Sequence, residues 1–301
     1  MEFSIIIPTF QNFNYLIMTV ESIIKNSFYK HQIIVHNNGN DEKTFEYLNK
    51  NKIEYTSSKS NIGLCKGVNM ASKLSKTEFI VYAHDDMYFL PSWDKYLKKE
   101  IDVLKDKKFY LSATQIGSSG PAPNSIINHI RFDCGDKIEN FDEQKLINNF
   151  KKLDFYDLQG SHWAPHIIHR DLWNKVGGFS EEFYPGTGSD PDLNMKLWKC
   201  GVRIFKGLNE CKVYHFGSIV TRKYKNHPTI KTESGNKGSK IFLLKWGISI
   251  KFFKKYYLNS DNPYDGELNE PRKNLIFYIG FLKCKFNYIY QLFISKLKWK
   301  N

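Results

Sequence analysis

Short apolar runs alternate with segments of helical periodicity through the first third of the chain. Phe3–Ile7 is a mostly apolar run closed by Pro8, which predicts a buried strand. From Tyr15 to Lys25 the apolar residues Leu16, Val20, Ile23 and Ile24 recur at helical spacing. Gln32–Val35 predicts a second strand. It leads into the polar loop Asn37–Asn40, with Asp41 as N-cap of a helix through Leu48. Ile53–Thr56 and Leu64–Leu74 repeat the strand-then-helix order, and Phe79–Ala83 predicts a fourth strand ending in His84-Asp85-Asp86. This order predicts an α/β fold, a doubly wound and mostly parallel sheet flanked by helices. Ligands in such sheets bind at the carboxyl ends of the strands. Pro8–Gln11, Asn37–Asn40 and His84–Asp86 therefore fall on one rim and outline a nucleotide-sized cleft.

The pattern then becomes less regular. Gly117–Asn124 reads as a loop by composition, and residues 135–155 are polar without a clear element. Structure resumes at Trp163–His169, followed by a helix Asp171–Val176 closed by Gly177-Gly178. A second helix runs from about Asp190 to Cys200, closed by Gly201, and Val202–Phe205 and Lys212–Tyr214 read as strands. Beyond Arg222 come a polar loop and two aromatic-basic helical stretches, Ile241–Leu258 and Leu275–Trp299.

Charge divides the chain in two. From Arg222 onwards there are 17 basic and 5 acidic residues, net +12, against 27 and 26 before it. A nearly neutral body with a basic, aromatic tail suggests an anionic surface partner, a membrane or a nucleic acid. The 301 residues suffice for one large domain or two small ones, and 10 Pro with 19 Gly exclude collagen-like and Pro/Gly-rich disordered classes. Five scattered cysteines without CxxC spacing point to reduced thiols in a cytosol rather than a disulfide framework or a zinc site. The start carries no basic leader, so secretion is not expected. Neither GxGxxG after the first strand nor a Walker A motif occurs.

Four groups of residues could carry chemistry. Asp85 and Asp86 adjoin a buried strand, where two carboxylates repel each other and lose solvation. A divalent cation such as Mn2+ or Mg2+ would relieve that cost; the bland alternative is a solvated turn. Asp190 and Asp192 open a helix behind a glycine-rich lead-in that includes Gly188. They could cap that helix, or face a bound ligand. His215 follows a strand as a structural histidine or a third cation ligand. His162, Trp163, His166 and His169 form a group that could be core and surface, or an acceptor pocket in which aromatic faces pack on sugar CH groups.

Taken in order, these residues resemble family 2 glycosyltransferases of the GT-A fold. Phe3-Ser4-Ile5-Ile6-Ile7-Pro8-Thr9-Phe10 is similar to the family's opening strand, and Asn61-Ile62-Gly63 with Asn69 to its Asn-x-Gly…Asn stretch. His84-Asp85-Asp86 occupies the place of its DXD motif. Gly177-Gly178-Phe179-Ser180-Glu181-Glu182-Phe183 resembles its Gly-Gly-Phe-Asp-Glu segment, Ser189-Asp190-Pro191-Asp192-Leu193 its Glu-Asp-x-Asp-Leu segment, and His215 its late histidine. The resemblance spans residues 3–217.

It implies that Pro8, Thr9 and Phe10 border the base and ribose, with Asn37 where the family usually has an Asp. Asn61, Gly63, Asn69, His84 and Asp85 fall in the nucleotide-binding set; Asp86 and Asp85, with His215, would hold the cation, and His84, at the first DXD position, is open between metal, ribose and neither. Asp190 would be the general base, with Asp192 second to it, and Trp163, His162 and Gly188 would meet the acceptor.

The implied activity is metal-dependent, inverting transfer of a sugar from a nucleoside-diphosphate donor, UDP foremost, to a glycan or lipid-linked acceptor. The implied organisation is a catalytic domain 1–221, with a nucleotide-binding half 1–115 and an acceptor-binding half 116–221, and a helical extension 222–301. The expected location is cytoplasmic; the extension reads either as amphipathic helices packed on the core with a basic face outward or as helices peripheral on the inner face of a membrane, and nucleic acid is not expected as a partner. Rival readings are a nucleotidyltransferase, which would need a Gly-rich phosphate loop in place of Pro8-Thr9-Phe10-Gln11-Asn12, and a nonenzymatic nucleic-acid binder argued from the tail.

Overall fold

The computed structural model describes residues 1–104, 106–118, 129–217 and 236–298. The first third alternates as expected: β1 (Phe3–Thr9), α1 (Phe13–Asn26), β2 (Gln32–Asn38), α2 (Glu42–Lys50), β3 (Glu54–Ser58), α3 (Leu64–Ser72) and β4 (Phe79–Tyr82). Asp41 caps α2 by accepting from the Thr44 backbone N–H. Then follow β5 (Met87–Phe89), α4 (Trp93–Leu104), β6 (Phe109–Gly117), β7 (His129–Arg131), α5 (Glu143–Asn149), β8 (Leu158–Gln159), β9 (His166–His169), α6 (Arg170–Val176), α7 (Ser189–Lys199) and β10 (Ile204–His215). Among the described residues three helices follow β10: α8 (Asn236–Trp246), α9 (Ile250–Tyr256) and α10 (Leu275–Lys298).

The strands form one ten-stranded sheet in the order β3-β2-β1-β4-β9-β6-β10-β5, with β7 on β6 and β8 on β10. β1 to β4 are mutually parallel, whereas β9, β5 and β8 run antiparallel to their neighbours, so the second half of the sheet is mixed. The chain moves outward from β1 to β3 and returns to β4 on the other side of β1. That reversal puts a topological switch beside β1, where open α/β sheets hold ligands.

Several boundaries differ from expectation for identifiable reasons. β1 runs through Pro8 to Thr9; its pairing with β4 has already ended at Ile6–Tyr82, where the sheet tolerates a proline. Asn37 and Asn38 end β2 rather than forming a loop. The two strands expected at 202–205 and 212–214 are one strand, β10, whose register on β6 jumps between Leu208 and Lys212. Polar Asn209 and Glu210 interrupt the apolar pattern there without breaking the extended backbone. The single helix expected over 241–258 is divided at Gly247, which has φ +70, and restarts where Ser249 caps α9.

Phe242, Phe252, Phe253 and Leu258 of the tail lie in the same buried cluster as the β1 and β4 side chains, so α8 and α9 complete the core. The expected boundary at 221/222, most of the loop at 117–124 and Trp299 lie outside the described residues. All five cysteines are free.

Candidate active site

At the rim of β1 and β4, Thr9 Oγ1 donates to Asp85 Oδ2 at 2.6 Å. The Asp85 carbonyl accepts from Thr19 Oγ1 at 2.9 Å, tying the same residue to α1. Asp85 is buried, and burial followed by the charge of Asp86 raises its carboxyl well above the usual carboxylate range. Thr9 and Asp85 therefore look inward. The adjacent carboxylates expected to share a cation are split.

Asp86 has different company. The antiparallel β10–β5 ladder sets His215 opposite Met87, and the Phe216 N–H donates to the Asp86 carbonyl at 3.1 Å. His215 Nε2 then lies 3.2 Å from Asp86 Oδ1, and His84 Nδ1 lies 4.0 Å from that oxygen and 3.4 Å from His215 Nε2. Among the described residues His84, Asp86 and His215 form a group whose ligand atoms lie within 4.8 Å of one another. Burial, and then the nearness of His215, lowers His84 to about 4, so its ring is the neutral form that binds a cation. Two imidazole nitrogens and one carboxylate oxygen fit a single divalent ion. Of the expected ligands, Asp86 and His215 fall in this group together with His84, and Asp85 lies outside it.

The second carboxylate pair is also divided. Gly188, at φ +85, is the N-cap of α7, so Asp190 does not cap it but stands in its first turn. Asp190 Oδ1 is buried without a hydrogen-bond partner, and burial pushes the carboxyl up to about 7. Burial and then the Asp190 charge hold the Tyr82 and Tyr110 phenols far above their ordinary range. The Tyr82 ring in turn packs on His84 at 5.4 Å and on His166 at 5.2 Å, joining the Asp190 end of the site to the histidine end. Asp192 is fully buried and fully engaged: it accepts from Ser180 Oγ at 2.5 Å and Trp246 Nε1 at 2.8 Å, and pairs with Lys245 Nζ at 3.0 Å. Lys245 also reaches Glu182 at 2.8 Å. That Ser180, Lys245 and Trp246 engage Asp192 does not show in the sequence, because only the fold brings these distant residues to α7.

Backbone contact reinforces this junction. A Cβ on Gly238 of α8 would sit 2.0 Å from the Thr187 carbonyl oxygen, and one on Gly188 would sit 3.2 Å from the Gly238 carbonyl carbon. Gly238→Ala is therefore expected to lower stability by about 1–3 kcal/mol, the usual cost of overpacking. A thermal melt unchanged from the parent would mean that α8 does not press on this loop.

The other expected site residues are mostly occupied by the protein itself. Asn37 closes the turn into α2, donating to the Asp41 carbonyl and accepting from the Asp41 N–H. Asn61 Oδ1 accepts from Asn38 Nδ2 and from the Gly63 N–H, shaping the approach to α3. Gly63 has φ +83, and a Cβ there would come 2.4 Å from the Tyr184 ring. Asn69 grips the Phe179 backbone through both its N–H and its carbonyl, at 2.9 and 2.8 Å, which ties α3 to the Gly177-Gly178-Phe179 turn. Phe10 is nearly buried against Gly39, and Pro8 lies half-buried at the end of β1.

In the expected acceptor group, Trp163 Nε1 donates to the Ala113 carbonyl at 2.9 Å and His162 Nδ1 lies 2.8 Å from the Gly160 carbonyl. His169 is buried and caps α6. His166 is the one that stands out: Nδ1 meets Tyr110 Oη at 2.8 Å, while Nε2 is buried without a partner.

Known proteins resemble this chain in sequence and in fold. The family model described as Glycosyl transferase family 2 matches residues 4–167. Hyaluronan synthase of Pasteurella multocida is 25% identical over 278 residues, 88% of this chain and 26% of the synthase. Chondroitin synthase of Pasteurella multocida strain Pm70 is 26% identical over 246 residues, 78% of this chain and 23% of that protein. The chain thus spans about a quarter of the length of these curated relatives.

Two solved structures of S. aureus TarS residues 1–349 superpose with TM-scores of 0.53 and 0.54 at 17% and 15% identity. They cover 84% and 97% of this chain and 74% and 81% of theirs, one in complex with UDP and the other with UDP-GlcNAc. That likeness bears out the expected GT-A-type α/β fold. With the family match extending over more than half of its residues, the chain is a glycosyltransferase and belongs to glycosyl transferase family 2.

Proposed function

We propose that the protein transfers a sugar from a UDP-sugar to a hydroxyl of a glycan acceptor with inversion, and that Asp190 is the general base. The observation that carries this reading is the Asp190 carboxylate itself. Its Oδ1 is buried without a partner, on a group whose pKa of about 7 suits proton abstraction near neutral pH. As the acceptor oxygen attacks the anomeric carbon, Asp190 takes its proton; the bond to the diphosphate breaks on the opposite side, and the configuration inverts. His166 Nε2, the second buried atom without a partner, is suited to hydrogen-bond a sugar hydroxyl. Asp192, held by Lys245, Trp246 and Ser180, orients the first turn of α7 and so Asp190.

His84, Asp86 and His215 would hold a divalent cation, which when bound supplies positive charge to the leaving diphosphate. The mixed nitrogen and oxygen donor set favours Mn2+ over Mg2+, which prefers an all-oxygen shell. The UDP and UDP-GlcNAc complexes of TarS support a uridine donor, and the two synthases support a glycan acceptor. Residues 1–115 would then form the donor half and 116–221 the acceptor half, with 222–301 as the extension.

A panel of nucleotide sugars, each assayed for release of its nucleoside diphosphate with Mn2+ or Mg2+, tests this reading. The expected result is turnover with a UDP-sugar, faster with Mn2+, and a product anomer opposite to that of the donor. Retention of configuration, or equal turnover in excess chelator, is incompatible with the scheme.

A further inference from the structure

α10 presents two unlike faces. Its inner side packs on the body: Phe277 and Cys284 are buried, the Phe277 ring lies 5.0 Å from that of Phe252, and Cys284 sits beside Ser249. Its outer side is apolar and bare. Ten of the sixteen exposed large apolar side chains among the described residues belong to this helix, including Leu282, Phe286, Ile289, Tyr290 and Phe293 at 54, 72, 61, 58 and 62% exposure. A stripe of this size left in water is unusual for a protein without a partner on it.

Charge narrows the choice of partner. Residues 271–301 contain seven Lys or Arg and no Asp or Glu. Among them Lys283 is exposed on α10, and Lys285 Nζ lies over the Phe281 and Tyr288 rings on the flank. Two copies placed outer face to outer face would bring these like charges together, whereas an anionic lipid surface attracts them. The 24 residues of the helix extend about 36 Å. No helix among the described residues is long and apolar enough to cross a membrane. An apolar stripe with basic flanks on a helix already seated along one side is the arrangement that lies in an interface plane.

We propose that α10 docks flat on an anionic membrane surface, with Leu282, Phe286, Ile289 and Phe293 entering the headgroup boundary and the lysines meeting lipid phosphate. This narrows the expected peripheral contact of 222–301 to one face of one helix, since α8 and α9 are spent on the core. It stands independently of the transferase reading, which concerns the sheet rim.

The test is sedimentation of the full chain with phosphatidylcholine vesicles, with and without phosphatidylglycerol, at about 0.05 M and about 0.5 M salt. Binding only to the anionic vesicles, weakened by salt, is expected. A Leu282→Ser, Phe286→Ser, Ile289→Ser variant should bind about tenfold less or weaker still. These side chains are exposed, so its circular dichroism melt should match the parent. If it does not, Lys283→Glu serves instead: binding reduced about fivefold supports the proposal and unchanged binding overturns it. Absence of binding at low salt, or equal binding by the parent and the triple variant, overturns it as well. So does a dimer that forms without vesicles and is lost in the triple variant, which would assign the face to a second copy.

Discussion

Asp190→Asn is expected to lower turnover by about 10²–10⁴-fold while leaving UDP affinity nearly unchanged, because only the proton acceptor is removed. The same substitution should stabilise the fold above neutral pH. The Asp190 carboxyl moves from 3.8 to about 7 on burial, so the folded state holds a proton that the unfolded chain releases. Stability from this group is thus full below pH about 4 and is lost as pH rises towards 7; above that, burying the charge costs up to about 4 kcal/mol. An amide carries no such cost. The measurements are kcat, UDP titration and melting temperature at pH about 8. A variant that keeps parental kcat cannot have lost its base. If Asp192→Asn reproduced the catalytic loss without destabilisation, the roles of the two carboxylates would have to be exchanged. The buried contacts of Asp192 lead instead to the expectation that its loss unfolds the α7–α8 junction.

Asp86→Asn should abolish transfer and weaken Mn2+-dependent donor binding, because a neutral amide cannot balance the cation between His84 and His215. Its fold should persist, since the Phe216 N–H bonds to the Asp86 backbone rather than to its side chain. Asp85→Asn offers the contrast. It disturbs the Thr9 link, so its main effect should be on stability, with metal-dependent binding retained. Donor titrations with and without Mn2+, beside thermal melts, separate the two. Identical behaviour of both variants would refute the division of labour between the neighbouring carboxylates.

The parallel first half of the fold was legible because its strands are apolar runs and its helices carry regular apolar faces. β6 was not, although it is wholly buried. It contains Ser112, Thr114 and Gln115, whose polar groups are satisfied by Ser161, the Leu208 carbonyl and the Ala164 carbonyl, partners that the local pattern does not reveal. The candidate site shows the same limit at finer grain. Asp85 and Asp86, or Asp190 and Asp192, are near-equivalent as letters. Thr9, 76 residues from Asp85, the β10–β5 register, and Trp246, 54 residues from Asp192, make them different. Asn69 is marked in the sequence only by the family resemblance, and its partner is the Phe179 backbone 110 residues on. In the tail, the sequence shows two aromatic-basic helical stretches but not which side of α10 the body leaves open.

The buried Asp192 carboxylate has a consequence for how this protein can be recombined. Its hydrogen-bond donors come from both Ser180 in the body and Lys245 and Trp246 in the tail, so the C-terminal helices are not an interchangeable cassette. A chimera that grafted a different tail after residue 217 would strand a charge inside the protein, at a cost of about 3–5 kcal/mol. Only tails that present an indole and an ammonium at the right places on their first helix would be compatible, which makes α7 and α8 a unit of inheritance despite the 36 residues between them.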